Sequence, residues 1–238
     1  GSLARYYLSM GMSNESAAYK QDKNSKYSAK VGYRTVNYRS NLDINLTKST
    51  ALYFGADGFI STKSEPGNND TDALWATQRN LTPITIPTIY STGHLPAYGV
   101  DNAYSPYVML NKTGMTNIRH YRGKATLELK QDLSMLLKGL KIRAQGAYDT
   151  ETNLKEIRSI RPEMYYAQTR KYTGELGIIQ RVESEPAKYT HEDEQFYKVH
   201  FETTATYETT VAKEHRLSAL LYYYMSSEQR MNKDIDAK

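Results

Sequence analysis

Three groups of residues have the types that could do chemistry. His191-Glu192-Asp193-Glu194 gathers four potential metal donors, but their spacing matches no zinc or hard-cation ligand pattern, and adjacent charges in a polar loop are ordinarily just solvated. Asn68-Asn69-Asp70-Thr71-Asp72 offers oxygen donors without the glycine and closing glutamate of a calcium loop. Capping of one short helix over Ala73–Gln78 by Thr71 or Asp70 explains it better. Serine, histidine and aspartate occur without a nucleophile elbow or a paired catalytic motif. His200 falls on the polar face of a strand, while His94, His120 and His215 are isolated. No metal, no cofactor and no enzyme activity are expected.

The third group is aromatic: Trp75, Tyr90, Tyr98, Tyr104 and Tyr107, with Asn80, Asp101 and Asn102 nearby. Sugar rings present apolar C–H faces that stack on aromatic rings, and polar neighbours can receive their hydroxyls. These five are the candidate ligand-binding residues, all within one long loop, where binding residues tend to sit. The competing expectation is that the rings pack the loop upon itself.

The elements that must position these residues read as strands. In 42–46, Leu42, Ile44 and Leu46 alternate with Asp43 and Asn45; in 51–60, Leu52, Phe54, Ala56 and Ile60 oppose Tyr53 and Asp57. Period two with one apolar face defines a strand, and 47–50 closes the pair as an antiparallel hairpin. Its polar face carries Arg39, Asp43 and Asp57. Similar alternation runs through 4–12, 124–130, 140–149, 197–208 and 217–225. Short turns are expected near 47–50, 132–139 and 209–214, the second with room for one helical turn. Long loops are expected near 13–30, 64–116 and 151–194, the last containing extended runs at 163–170 and 172–182, and the tail 226–238 reads as another loop. Pro83, Pro87, Pro96 and Pro106 with Gly93 and Gly99 argue against regular structure late in the second loop. Short and long connections alternate strictly, so an up-and-down sheet puts every short turn at one end and every long loop at the other. That is the plan of an outer-membrane barrel.

Composition narrows the classes. Hydrophobic residues make up 39% of the 238 and mean hydropathy is −0.70, with no run of ~18 apolar residues that would make a membrane helix; membrane barrels escape that test, since half of each strand is polar. Tyrosine dominates the aromatics, 22 against 4 phenylalanines and 1 tryptophan, and suits both strands and a water–lipid boundary. The net charge of +5 is spread along the chain, so no nucleic-acid partner is expected. There is no cysteine, which removes disulfides and thiolate metal sites. The opening Gly1-Ser2 reads as a cloning remnant on a piece of a longer chain.

The segments YRSNLDINLTKSTALYFGADG (38–58), NAYSPYVMLNKTG (102–114), LELKQDLSMLLKGLKIRAQGAYDT (127–150), RPEMYYA (161–167) and HRLSALLYYYMSSE (215–228) together resemble the SusC/RagA group of TonB-dependent outer-membrane transporters. The resemblance implies an all-β chain: antiparallel up-and-down strands from part of a transmembrane β-barrel that is twenty-two-stranded when complete, with long extracellular loops. By the same resemblance residues 1–238 are a single barrel segment without the plug, in the outer membrane of a Gram-negative, Bacteroidetes-like bacterium. The implied partners are membrane lipid, a SusD-like surface lipoprotein, TonB acting through parts of the intact protein absent here, and an oligosaccharide or peptide being imported. The resemblance supplies no motif for individual binding residues. A soluble β-rich carbohydrate-binding module is the alternative, and a repetitive adhesive protein is disfavoured by the lack of internal repeats.

Overall fold

The computed structural model describes residues 3–20, 22, 31–68, 71–82, 84–99, 103–170, 172–212 and 214–237. Asn69, Asp70, Asp101, Asn102, Pro83 and most of 21–30 lie outside these. The elements are β1 (Ala4–Ser16), β2 (Gly32–Asn45), β3 (Thr50–Pro66), α1 (Thr71–Asn80), β4 (Ala97–Tyr98), β5 (Ala103–Tyr104), α2 (Pro106–Asn111), β6 (Gly114–Asp132), β7 (Leu140–Arg161), β8 (Met164–Arg170), β9 (Leu176–Val182), β10 (Glu185–Val211) and β11 (His215–Ala237). The chain is mostly antiparallel sheet.

Seven strands form one sheet in the order β1-β2-β3-β6-β7-β10-β11. Every neighbour is antiparallel. Because successive side chains point to opposite faces, the register sorts the sheet into rows. One row reads Tyr6, Leu42, Phe54, Leu127, Gly146, Phe201, Met225. The row one residue away, on the other face, reads Arg5, Asp43, Tyr53, Glu128, Gln145, Glu202, Tyr224. A slip of one residue in any strand would put its apolar set among these charges, so the pattern pins the register.

Charge pins it too. The row Arg39, Asp57, Lys124, Asp149, Lys198, Glu228 alternates in sign across six strands, with Lys124 and Asp149 at 3.9 Å and Lys198 and Glu228 at 2.7 Å. Opposite charges directly across a strand pair favour the pairing, and like charges there would oppose it. The polar face is the sheltered one: Glu128 is 7% exposed, while its neighbour Leu127 on the apolar face is 53% exposed. A sheet curled with its polar side inward gives this difference.

The apolar band does not run straight across the strands. The line of register partners through Ala4 ends on Tyr223. In β1 the large apolar residues Tyr6, Leu8, Met10 and Met12 lie two to eight residues beyond this line toward the long connections. In β11 the large apolar residues of the same face, Leu217, Leu221, Tyr223 and Met225, run from six residues on the turn side to two on the loop side. The centre therefore drifts by seven residues over six strand-to-strand steps.

The sheet is open, with β1 and β11 as its two edges. Short turns join β2 to β3, β6 to β7 and β10 to β11, and the long connections all lie at the opposite end. At 132–139 one helical turn forms, with Leu137 N–H donating to the Leu133 carbonyl at 3.0 Å.

Several expected loops are shorter than the sequence suggests. β1 continues to Ser16, β3 to Pro66, β6 begins at Gly114, and 151–194 shrinks to the stretch between β7 and β10 because those strands run on to Arg161 and back to Glu185. The tail expected as a loop is the continuation of β11. In these extensions both faces are polar, so alternation vanishes although the ladder continues. Cross-strand pairs take over: Lys155 with Glu192 at 3.4 Å and Arg161 with Glu185 at 2.5 Å are register partners as well as ion pairs.

Helix content also exceeds the single helix expected. Thr71 is the first residue of α1, and Asp70 lies outside the described residues. Asp72 in the first turn and Arg79 in the last suit the helix dipole. α2 forms where prolines argued against it, because Pro106 occupies the first turn, where its missing N–H costs nothing. The Ser105 side chain caps it by accepting from the Val108 N–H at 3.3 Å.

Candidate ligand-binding site

At the long-connection end, the segments between β3 and β6 and between β7 and β10 fold together into a lobe. The short length of α2 makes both its sides useful. Val108 enters one cluster with Ala97, Met164 and Val182, and Met109 with Leu110 enters another with Leu74 of α1. The two connections are stitched by Tyr165, whose N–H donates to the Leu95 carbonyl at 2.8 Å and whose ring meets His94 edge-on at 4.3 Å. At the lobe's root Gly114 has φ +98°, and a Cβ there would stand 1.8 Å from the Arg158 carbonyl oxygen. Only glycine lets the backbone enter β6 this close to β7.

The structure divides the five sequence-predicted aromatics. Tyr90 and Tyr98 come together in a cavity of about 740 Å³, with Tyr166 and Arg181 from the β8–β9 hairpin and Thr85 and Gly99 on its wall. Tyr104 packs against both hydrophobic clusters, and burial pushes its phenol pKa up, with Glu185 adding to that shift and Arg161 opposing it. Tyr107 packs against the first cluster and donates its hydroxyl to Asp22 at 3.1 Å. Burial and then this bond raise its pKa. Both rings pack within the lobe, and Tyr107 also reaches the connection between β1 and β2 through Asp22. Trp75, half exposed on α1, leans on Tyr19 at 5.3 Å and does not line the cavity. Asn80 ends α1, and Asp101 and Asn102 lie outside the described residues.

Tyr166 and Arg181 escape the sequence reading because no spacing links them to Tyr90. The signal is in the hairpin register. Met164 pairs with Val182 but Tyr165 pairs with Gln180, so Arg181 is the extra residue of a bulge, a device that re-aims side chains. Met164 and Val182 go into the core, while Arg181 turns its guanidinium over the Tyr166 ring, 5.8 Å from the centroid.

Of the other two candidates, only the histidine-led one lies wholly among the described residues. His191–Glu194 lies within β10 and not in a loop, so alternate residues point to opposite faces and cannot converge, and Glu192 pairs with Lys155. Among the described residues no group of three or more potential metal ligands gathers. The Asn68–Asp72 stretch has Asn69 and Asp70 outside the described residues. The polar sheet face instead holds a compact charged network, in which Arg143 donates to Glu128 at 2.5 Å and to Glu202 at 2.9 Å. Lys130 adds a contact to Glu128 at 2.6 Å.

Neither a protein-family profile nor a curated protein sequence matches this chain.

Proposed function

We propose that the chain is a wall segment of a transmembrane β-barrel importer of the SusC/RagA type, whose long connections form an outward-facing capture lobe. The observation that carries this reading is the uncovered apolar face. Tyr6, Leu8, Met10, Phe54, Leu127, Leu221 and Met225 share one side of the sheet, and all are exposed. Contiguous apolar surface of this extent on a protein in water marks an interface, and a lipid bilayer is the partner that accepts it across seven strands at once.

The drift of the apolar band supports the same reading quantitatively. Seven residues at ~3.3 Å span about 23 Å along the strands, while six steps at ~4.8 Å span about 29 Å across them. A band level with a membrane then requires strands tilted by about 40°, within the ~35–45° of outer-membrane barrels. The alternating charges of the other face suit a wet lumen, and the two open edges call for further strands, since unpaired backbone is not tolerated in lipid. Capture of an oligosaccharide or peptide by the lobe, closure by a SusD-like lipoprotein and energy from TonB acting on other parts of the polypeptide complete the proposed mechanism.

Orientation is tested by adding protease to intact cells that carry the complete polypeptide. The exposed turn around Tyr172 should be cut while β7 and β10 below it resist. Cutting only after the cells are lysed would refute the outward lobe.

A further inference from the structure

The cavity between the two long connections has a chemistry narrower than capture in general. Three phenols, Tyr90, Tyr98 and Tyr166, and one cation, Arg181, line it, and no carboxylate is among the described lining residues. Phenols offer a ring face together with a hydroxyl that both donates and accepts, a combination that suits a ligand made of hydroxyl-bearing rings. About 740 Å³ leaves room for more than one such ring.

Arg181 is the residue that discriminates. Its place in a bulge leaves it without a ladder partner, and its guanidinium lies over Tyr166 on the wall of the cavity. No carboxylate ion-pairs with it among the described residues, in contrast to Arg143 and Arg161. A stacked guanidinium presents a planar fork matched to a carboxylate.

Building on the capture reading, we propose that this cavity takes an acidic oligosaccharide, with a uronate carboxylate on Arg181 and sugar faces on the tyrosine rings. The test compares trigalacturonate with its fully methyl-esterified form, which has the same rings and no charge, by calorimetry on the complete polypeptide in detergent. The acid should bind more tightly by roughly ten- to a hundredfold, the worth of one charge-assisted hydrogen-bonding pair. Arg181→Gln should erase that gap, Arg181→Lys should restore part of it, and Tyr98→Ala should weaken both ligands alike. Protease resistance of the lobe, unchanged in each variant, establishes that it remains folded.

Equal affinity for acid and ester would overturn the role of Arg181 while leaving sugar capture standing. Equal or tighter binding of an acidic peptide would overturn the sugar assignment. Binding of neither saccharide by the folded protein in detergent would overturn the inference without touching the barrel reading, which insertion of the same protein into vesicles measures separately.

Discussion

Replacing Leu127 by arginine separates a membrane wall from a soluble sheet more sharply than any other single substitution. Leu127 sits in β6 within the apolar row between Phe54 and Gly146 and is 53% exposed. On a protein in water an exposed residue of this kind tolerates a charge within about 0.5 kcal/mol, and removing leucine's exposed half costs little. In a bilayer the same position lies near the middle of the hydrocarbon, where an arginine on the lipid face costs about 2–4 kcal/mol. That is a change of roughly 30- to 700-fold in the folding equilibrium. The assay is urea unfolding of the complete polypeptide in lipid vesicles, followed by mobility in unboiled gels. Lys124→Gln, on the opposite face of the same strand, is the control for a substitution at similar depth. A penalty below about 0.5 kcal/mol for Leu127→Arg would refute the assignment of that face to lipid.

Other substitutions test other links. Gly114→Ala must move either its own strand entry or the Arg158 carbonyl, and at φ +98° the strain of about 1–3 kcal/mol should loosen the lobe, read as faster proteolysis near 67–113 with the sheet unaffected. Arg143→Leu leaves Glu128, which is 7% exposed, with Lys130 but without its guanidinium partner, and should cost about 1–3 kcal/mol; the double variant Glu128→Gln, Arg143→Leu should recover part of it, measured by the same urea titration. The raised phenol pKa of Tyr104 means that the folded lobe holds this proton more tightly than the unfolded chain. Its contribution is thus complete below the ordinary tyrosine value of 10.0 and is lost as pH rises through the folded value. Proteolysis of the lobe should accelerate above that pH, and Tyr104→Phe should abolish the part that depends on this ionisation.

What was legible in the sequence follows the physics of the two faces. Where one face is apolar and the other charged, as in Leu42-Asp43-Ile44 or Leu127-Glu128-Leu129, period two betrays the strand and even its register partner. Above that band both faces are wet, so the extensions of β7 and β10 through Glu156, Arg158, Glu192 and Glu194 read as loop although their backbone ladders continue. In the lobe the sequence offered the aromatic rings but not their grouping. Tyr90 and Tyr98 meet Tyr166 and Arg181 only because the two long connections are stitched at Leu95 and Tyr165, and no local pattern encodes a contact over that separation. Tyr104 and Tyr107 have the composition of binding residues and the environment of core residues, a distinction that only packing reveals. The bulge at Arg181 is similarly silent, since an isolated arginine in a strand is ordinary.

On the proposed reading one face of this sheet touches lipid and the other does not, and adjacent residues of β6 report on the difference directly. With every tryptophan of the complete polypeptide, Trp75 of this chain among them, replaced by phenylalanine, a single tryptophan is placed at Leu127 or at its neighbour Thr126, and the protein is reconstituted in vesicles of bromine-labelled lipid. Bromine quenches on close contact, so Leu127→Trp should be strongly quenched and Thr126→Trp largely spared. Equal quenching at the two positions, or none at either, would contradict the account.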